Sequence, residues 1–213
     1  MNKPPVIVLG AGGHAKVVID ALRCAGYKVL GLTDANPTRH GASVLGVPVL
    51  GGDEAVQRYG VADVQLANGI GSTGNSDLRR AVFEKFVGLG YHFAALLHPS
   101  AVVANDVLLG EGAQIMAGVV LQPGCRIGRN VIVNTRAAID HDCDIGDHAH
   151  VSPGATLCGN VTIGASAHIG AGSTVIQTVT VGANALVAAG AVVVRDVLPA
   201  AVVVGIPARL TNR

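Results

Sequence analysis

His141 and Asp142 are the side chains in this sequence best suited to moving a proton. A neutral imidazole, with an ordinary pKa of about 6.5, can take a proton from an attacking nucleophile near neutral pH. A carboxylate beside it can orient the ring and raise its basicity. In an extended strand, neighbours point to opposite faces, so Asp142 reaches His141 only if the chain turns a corner there. The bland alternative is a solvated histidine beside one more surface acid among Asp140, Asp142, Asp144 and Asp147. Asn134 offers an amide that can hold a hydroxyl or a developing oxyanion, or simply bond along a corner. Those acids, with His148 and His150, raise the question of a metal, but an HxH in an acidic stretch is weak evidence for one and no metal is expected. Cys24, Cys125, Cys143 and Cys158 form no CxxC pair, so neither a zinc site nor a disulfide scaffold is indicated.

A second constellation lies near the start. Gly10-x-Gly12-x-x-Ala15 follows the apolar run Val6 to Leu9 and opens a helical pattern. Backbone amides at a helix N-terminus can receive a phosphate. With Asp34 about 20 residues on, the stretch fits the dinucleotide fingerprint, and alone it would make a nicotinamide-dependent dehydrogenase the default. Space argues otherwise, because residues 101–196 belong to a repeat and no second domain for hydride transfer follows. Asn68 to Ser72 falls behind a later strand, where open α/β sheets bind ligands, although a plain βα turn would look the same.

Two periodicities must position these residues. In the first half, strands are expected at 6–9, 27–32, 64–67 and 92–97, with helices at 16–24 and 77–89. Strand and helix in alternation imply a small parallel sheet with right-handed crossovers. From 101 to 196 the sequence divides into hexads without insertion or deletion. The third residue of each, from Val103 and Leu109 to Val187 and Val193, is aliphatic, and the first is Ala, Val, Cys or Ser. Glycines at 110, 128, 146, 164 and 182 add a period of three hexads, and Gly118, Gly154, Gly172 and Gly190 lie on a second such lattice that Arg136 interrupts. This is the signature of a solenoid: a triangular prism of short parallel strands with positions one and three inward. Cys125 and Cys143, one coil apart, read as small core residues. His150 and His168, also one coil apart and facing outward, should stack.

Composition agrees with such a core. Of 213 residues, 50% are hydrophobic and 14% charged, with 29 Gly, three Phe, three Tyr and no Trp. So aliphatic a chain is not a disordered tail. A net charge of +1 without any Lys/Arg run excludes a nucleic-acid or anionic-membrane footprint. Apolar runs are too broken for a transmembrane helix. The start, Met-Asn-Lys-Pro-Pro, runs directly into a strand and has no secretory h-region, so a cytoplasmic location is expected.

Hexads such as Val161-Thr-Ile-Gly-Ala-Ser166, followed by Gly205-Ile-Pro-Ala208, resemble the hexapeptide-repeat acyltransferases. Gly10-Ala-Gly-Gly-His14, His98-Pro-Ser100, Asn134-Thr135, His141-Asp142 and His150-Val-Ser-Pro-Gly154 resemble one branch of them, the nucleotide-sugar acetyltransferases acting on 4-amino-4,6-dideoxy sugars or on sialic acid. The resemblance implies an α/β Rossmann-like domain over residues 1–97 that binds a nucleotide sugar. It implies an all-β left-handed parallel β-helix over 98–213 that binds acetyl-CoA, and a homotrimer with sites between subunits. It implies acetyl transfer to the C4 amine, GDP-perosamine being the expected substrate, by direct attack with His141 as base. Asp142 stands where many relatives carry Glu, and Asn134 belongs near the reacting groups. By the same resemblance, His150, Gly170, Ala171, Ala188 and Ala189 line the cofactor groove. Gly12, Gly13 and His14 hold phosphate or sugar, Asp34 and Ala35 sit by the nucleoside, and Gly71 belongs to the same site. Alternatives are a UDP-linked amino sugar, O-acetylation of sialic acid, and a non-catalytic scaffold.

Overall fold

The computed structural model describes residues 3–74 and 76–211. Met1 and Asn2, part of the stretch read above for a targeting signal, lie outside the described residues, as do Asn75, Asn212 and Arg213. The first domain holds β1 (Val6–Leu9), α1 (Gly13–Cys24), β2 (Val29–Thr33), β3 (Ser43–Val44), β4 (Val47–Gly51), β5 (Gln65–Asn68) and α2 (Asp77–Gly88). Its sheet has the order β3-β4-β2-β1-β5, parallel apart from β3. All four residues of β1 are buried because each face of the sheet is covered. Val6 and Val8 pack with Ala15, Val18, Ile19 and Leu22 of α1, and Ile7 and Leu9 with Phe83 and Phe86 of α2.

The β3–β4 hairpin is absent from the sequence reading. Its two-residue turn puts both Leu45 (φ 51°) and Gly46 (φ 74°) in the left-handed region. Leu at the first of these positions hides a turn that Asn or Asp would have announced. The strand expected at 92–97 is also not one strand. Phe93 bridges Leu66 in the first sheet, whereas β6 (Leu96–Leu97) pairs with Gln114–Ile115 in the solenoid. The segment that crosses between the domains therefore pairs first with one sheet and then with the other.

From Val102 to Val193, two-residue strands stack on three faces of a left-handed β-helix. The first face includes Ile132–Val133, His150–Val151 and His168–Ile169; the second, Ala138–Ile139 and Thr156–Leu157; the third, Asp144–Ile145 and Thr162–Ile163. Partners lie one coil apart, as the sequence period requires. Positions one and three of the hexads fill the interior, with Ala137, Ile139, Cys143, Ile145, Ala149 and Val151 all buried. The prism is too narrow for rings, which explains the dearth of aromatics. From Gly112 to Gly190, corners turn at position six, which is left-handed whether Gly118 (φ 70°) or Arg136 (φ 59°) stands there. Among the described residues, no helix is long and apolar enough to cross a membrane.

Candidate active site

His141 projects from the corner between the second and third faces. Asp142 follows at φ 59°, and this left-handed residue folds the acid back onto its neighbour, which strand alternation would forbid. Nδ1 of His141 lies 2.9 Å from Oδ2 of Asp142, and the two side chains stay 59% and 65% exposed. A carboxylate accepts only, so Nδ1 carries the hydrogen and Nε2 keeps its lone pair. The Asp142 hydrogen bond, and after it the Asp140 charge, raises the His141 pKa above its ordinary value. Asp140 also accepts the His141 backbone N–H at 2.9 Å. The corner is thus a solvent-facing base with a fixed tautomer.

Five other candidates meet on the first face. His150, Gly170, Ala171, Ala188 and Ala189 line one cavity of about 370 Å³, with His168 and the loop residues Ser72 and Thr73. His150 is 7% exposed, and its ring stands edge-on to that of His168 at 4.9 Å between centroids. Nδ1 of His150 lies 2.8 Å from the Ser72 hydroxyl and 3.1 Å from the Ser72 carbonyl, while Nε2 faces the Asn134 amide nitrogen at 3.3 Å. One assignment satisfies all three contacts: Nδ1–H donates to Ser72 and Nε2 accepts from Asn134. Burial, helped by the His168 charge, pushes the His150 pKa down to about 3, and burial lowers that of His168. Both rings are neutral at physiological pH. Small residues leave the groove floor close to backbone, which suits a narrow, amide-bearing chain such as pantetheine. Asn134 sits at the corner between the first and second faces, tied to His150 and to the Thr135 N–H (2.8 Å), and does not share a corner with His141.

The six candidates of the first domain line a second cavity, of about 270 Å³. Gly12, Gly13, His14, Asp34, Ala35 and Gly71 all border it. The first turn of α1 has no side-chain cap, so its N–H groups are left for a ligand. Asp34 accepts from the Ala11 N–H at 3.2 Å and the Asn36 N–H at 2.9 Å, and pairs with Arg39 at 3.3 Å. His14 donates Nε2–H to the Gln114 carbonyl oxygen at 2.9 Å, since the Gln114 amide nitrogen is already spent on the Asn68 carbonyl at 2.8 Å. Burial, with the Arg79 charge next, pushes the His14 pKa down to about 4.

Residues 69–74 form a common wall: Gly69 to Gly71 face the second cavity and Ser72 to Gly74 the first. Beneath this loop lies Arg79, 1% exposed, and sequence reasoning missed it. Its guanidinium donates to the carbonyls of Asn68 (3.0 Å), Ile70 (2.6 Å) and, at 3.4 Å, Asn130 of the β-helix. Burial brings its pKa to about 9, so it stays charged at neutral pH. The signal was its spacing: Arg79 stands three, four and seven residues before the buried Val82, Phe83 and Phe86. His148, half of the HxH pair, turns instead to Glu84 at 3.1 Å and to the Asn130 amide at 3.1 Å. Among the described residues, no group of three or more His, Cys, Asp or Glu could hold a metal ion.

Comparison with known proteins gives a consistent picture. Residues 5–86 match the PglD N-terminal domain, and residues 102–141 and 124–159 match the bacterial transferase hexapeptide (six repeats). A crystal structure of PerB from Caulobacter crescentus, in complex with CoA and GDP-perosamine, is 41% identical over 98% of this chain and 97% of that one, with a TM-score of 0.91. The acetyltransferase domain of PglB from Neisseria gonorrhoeae, in complex with acetyl coenzyme A, is 35% identical over 99% of this chain and 100% of that one, with a TM-score of 0.90. UDP-N-acetylbacillosamine N-acetyltransferase of Bacillus subtilis is 36% identical over 117 residues, so the match spans 53% of this chain and about half (51%) of that protein.

Proposed function

Because the chain belongs to the hexapeptide-repeat nucleotide-sugar N-acetyltransferases that carry a PglD-type N-terminal domain, we propose that it transfers acetyl from acetyl-CoA to the C4 amine of a nucleotide-linked 4-amino-4,6-dideoxy sugar, GDP-perosamine. The observation that carries this reading is the wall shared by the two cavities. One loop, 69–74, borders both a pocket at an uncapped helix N-terminus and a groove floored by small residues. Such a wall suits two ligands that must meet. GDP rather than UDP is favoured by the greater identity to the GDP-perosamine-bound relative across nearly the whole chain.

In this reading the α1 N-terminus receives the diphosphate, with Gly12 and Gly13 allowing close approach and the Arg79 charge lying beneath the adjoining loop. His14, neutral, contributes hydrogen bonding rather than charge. Asp34 and Ala35 sit beside the nucleoside. The groove along Gly170, Ala171, Ala188 and Ala189 takes the pantetheine arm, with His150 at its inner end and Asn134 behind it. His141 acts as general base. The sugar amine forms a C–N bond to the thioester carbonyl, its proton passes to Nε2 of His141, and the C–S bond breaks with the electron pair going to sulfur. The leaving thiolate takes that proton and departs as CoA thiol. Asp142 holds Nδ1–H and stabilises the imidazolium between the two transfers.

His141 and the groove flank opposite edges of the second face. A second copy of the chain would bring one chain's His141 corner to its neighbour's groove, and this supports a homotrimer with sites between subunits. The direct test incubates the protein with acetyl-CoA and GDP-perosamine, a UDP-linked 4-amino-4,6-dideoxyhexose or CMP-sialic acid, and follows free thiol. Turnover with GDP-perosamine alone is expected. Turnover confined to the UDP sugar moves the nucleotide assignment, and none with any acceptor removes the reading.

A further inference from the structure

Every glycine of the coils but one has a backbone reason to be glycine. At hexad position four a Cβ would strike the next coil, as at Gly146, where it would stand 2.7 Å from the Ala165 nitrogen. At position six the backbone is left-handed, as at Gly154 with φ +67°. Gly159 fits neither class. It stands at position five, its φ is not left-handed, and the three atoms nearest to a Cβ there all belong to a side chain, not to backbone. Those atoms are in the His141 ring: Cε1 and Nε2 at 2.6 Å and Cδ2 at 3.2 Å. The same corner in other coils carries Asn105, Pro123, Gln177 and Arg195, so the turn itself accepts side chains.

We propose that Gly159 is a positioning residue for His141, a bare patch of backbone on which the imidazole lies so that Nε2 is held in one place. This rests on the reading of His141 as the base. The ring is then fixed from two sides. Asp142 grips Nδ1 at 2.9 Å, and the floor of the next coil, one period on, supports the opposite edge. That floor is locked in register by the Asn160 N–H, which donates to the His141 carbonyl at 2.8 Å. A methyl at 159 would stand 2.6 Å from Nε2 and Cε1, too close for the ring to stay where it is. The ring would have to swing outward about its side-chain bonds, and the bond to Asp142 would break with it.

The test is Gly159→Ala, read first without substrate. Histidine labelled with ¹³C gives a His141 resonance, assigned by its loss in His141→Asn, whose titration reports the ring's surroundings. In Gly159→Ala the His141 titration should move down toward the ordinary value of about 6.5, because the ring leaves Asp142. The kcat at its pH plateau should fall at least about tenfold, while KM for each substrate changes less than about threefold. An unaltered His141 titration with a plateau within twofold of the parent overturns the proposal. Should Gly159→Ala fail to fold, the His141→Ala/Gly159→Ala double variant decides. Folding like His141→Ala supports a clash with the ring, and failure there too assigns the glycine to the coil and overturns the proposal. If His141→Asn keeps full turnover, the base assignment fails, yet the titration still reports whether Gly159 positions the ring.

Discussion

A base tied through Nδ1 to a carboxylate titrates higher than a free one, and that fixes the sign of two expectations. The reaction needs His141 neutral, so kcat should rise with pH through a His141 pKa lying above the ordinary value. Asp142→Asn removes the carboxylate. The acid limb should then move to lower pH, and the plateau should fall because the imidazolium is no longer stabilised. A limb that stays in place would show that Asp142 does not govern the base. His141→Asn should lower kcat by about 10²–10⁴-fold, the usual contribution of a positioned base, with KM for acetyl-CoA little altered. At this scale the sequence was informative about identity and silent about contact. His141 could be picked out as a base, but whether Asp142 reached it depended on a left-handed residue at the corner. Asp142 accepts that conformation without announcing it, as glycine would have done. Gly12, Gly13, His14, Asp34, Ala35 and Gly71 were named on resemblance, and they fall in one cavity because the adjacent strands β1, β2 and β5 bring three loops together.

The elements meet at a buried polar seam. His14 with Gln114, Ser72 with His150, and Arg79 with Asn130 each join the first domain to the β-helix. Two of these groups are histidines whose folded pKa lies below the unfolded one, at about 4 for His14 and about 3 for His150. Below pH 6.5 the unfolded chain binds protons that the folded one refuses, so their stability contribution is present near neutrality and drains away from about pH 6.5 toward 4 and 3. Each group removes up to about 1.4 kcal/mol per pH unit inside its window. Urea midpoints measured between pH 7 and 4.5 should fall accordingly. Replacing His14 or His150 with Gln should flatten the curve, and a slope unchanged in both variants would contradict the linkage. Arg79→Met leaves the Asn68, Ile70 and Asn130 carbonyls without their donor and should cost about 3 kcal/mol or more, read from the same midpoints. None of this seam was visible as a pattern. It is built from contacts between residues 51 to 100 positions apart, and hexad counting sees only one chain segment at a time. The solenoid itself was legible almost to the residue, because its period is written in the side chains. The first domain was less so, since the Leu45-Gly46 turn and the divided segment 92–97 are set by tertiary pairing.

For the whole molecule, the separation of His141 from the cofactor groove makes a claim about copies. If sites form between subunits, a His141→Asn chain and a chain with its groove blocked by Ala189→Trp are each inactive alone. Mixed after denaturation and refolding, they should recover up to about a quarter of parental activity, since half of the chains supply each intact half-site. No recovery would place both halves in one chain. The C-terminal stretch has a different consequence. Residues 197–211 visit every face in turn: Val197 bridges Val181 on the third, Val202–Val204 pairs with Leu186–Val187 on the first, and Gly205 and Ala208 bond Val192 on the second. Arg209–Leu210 then runs antiparallel to Val203–Val204. A ladder whose rungs are all alike has no internal reason to stop, and a bare end would recruit another molecule as its next rung. The terminator, not the repeat, therefore sets the height of the prism. Height is free to change only in whole steps of about 4.8 Å, one coil of eighteen residues at a time, and every such step would carry the same terminator upward unchanged.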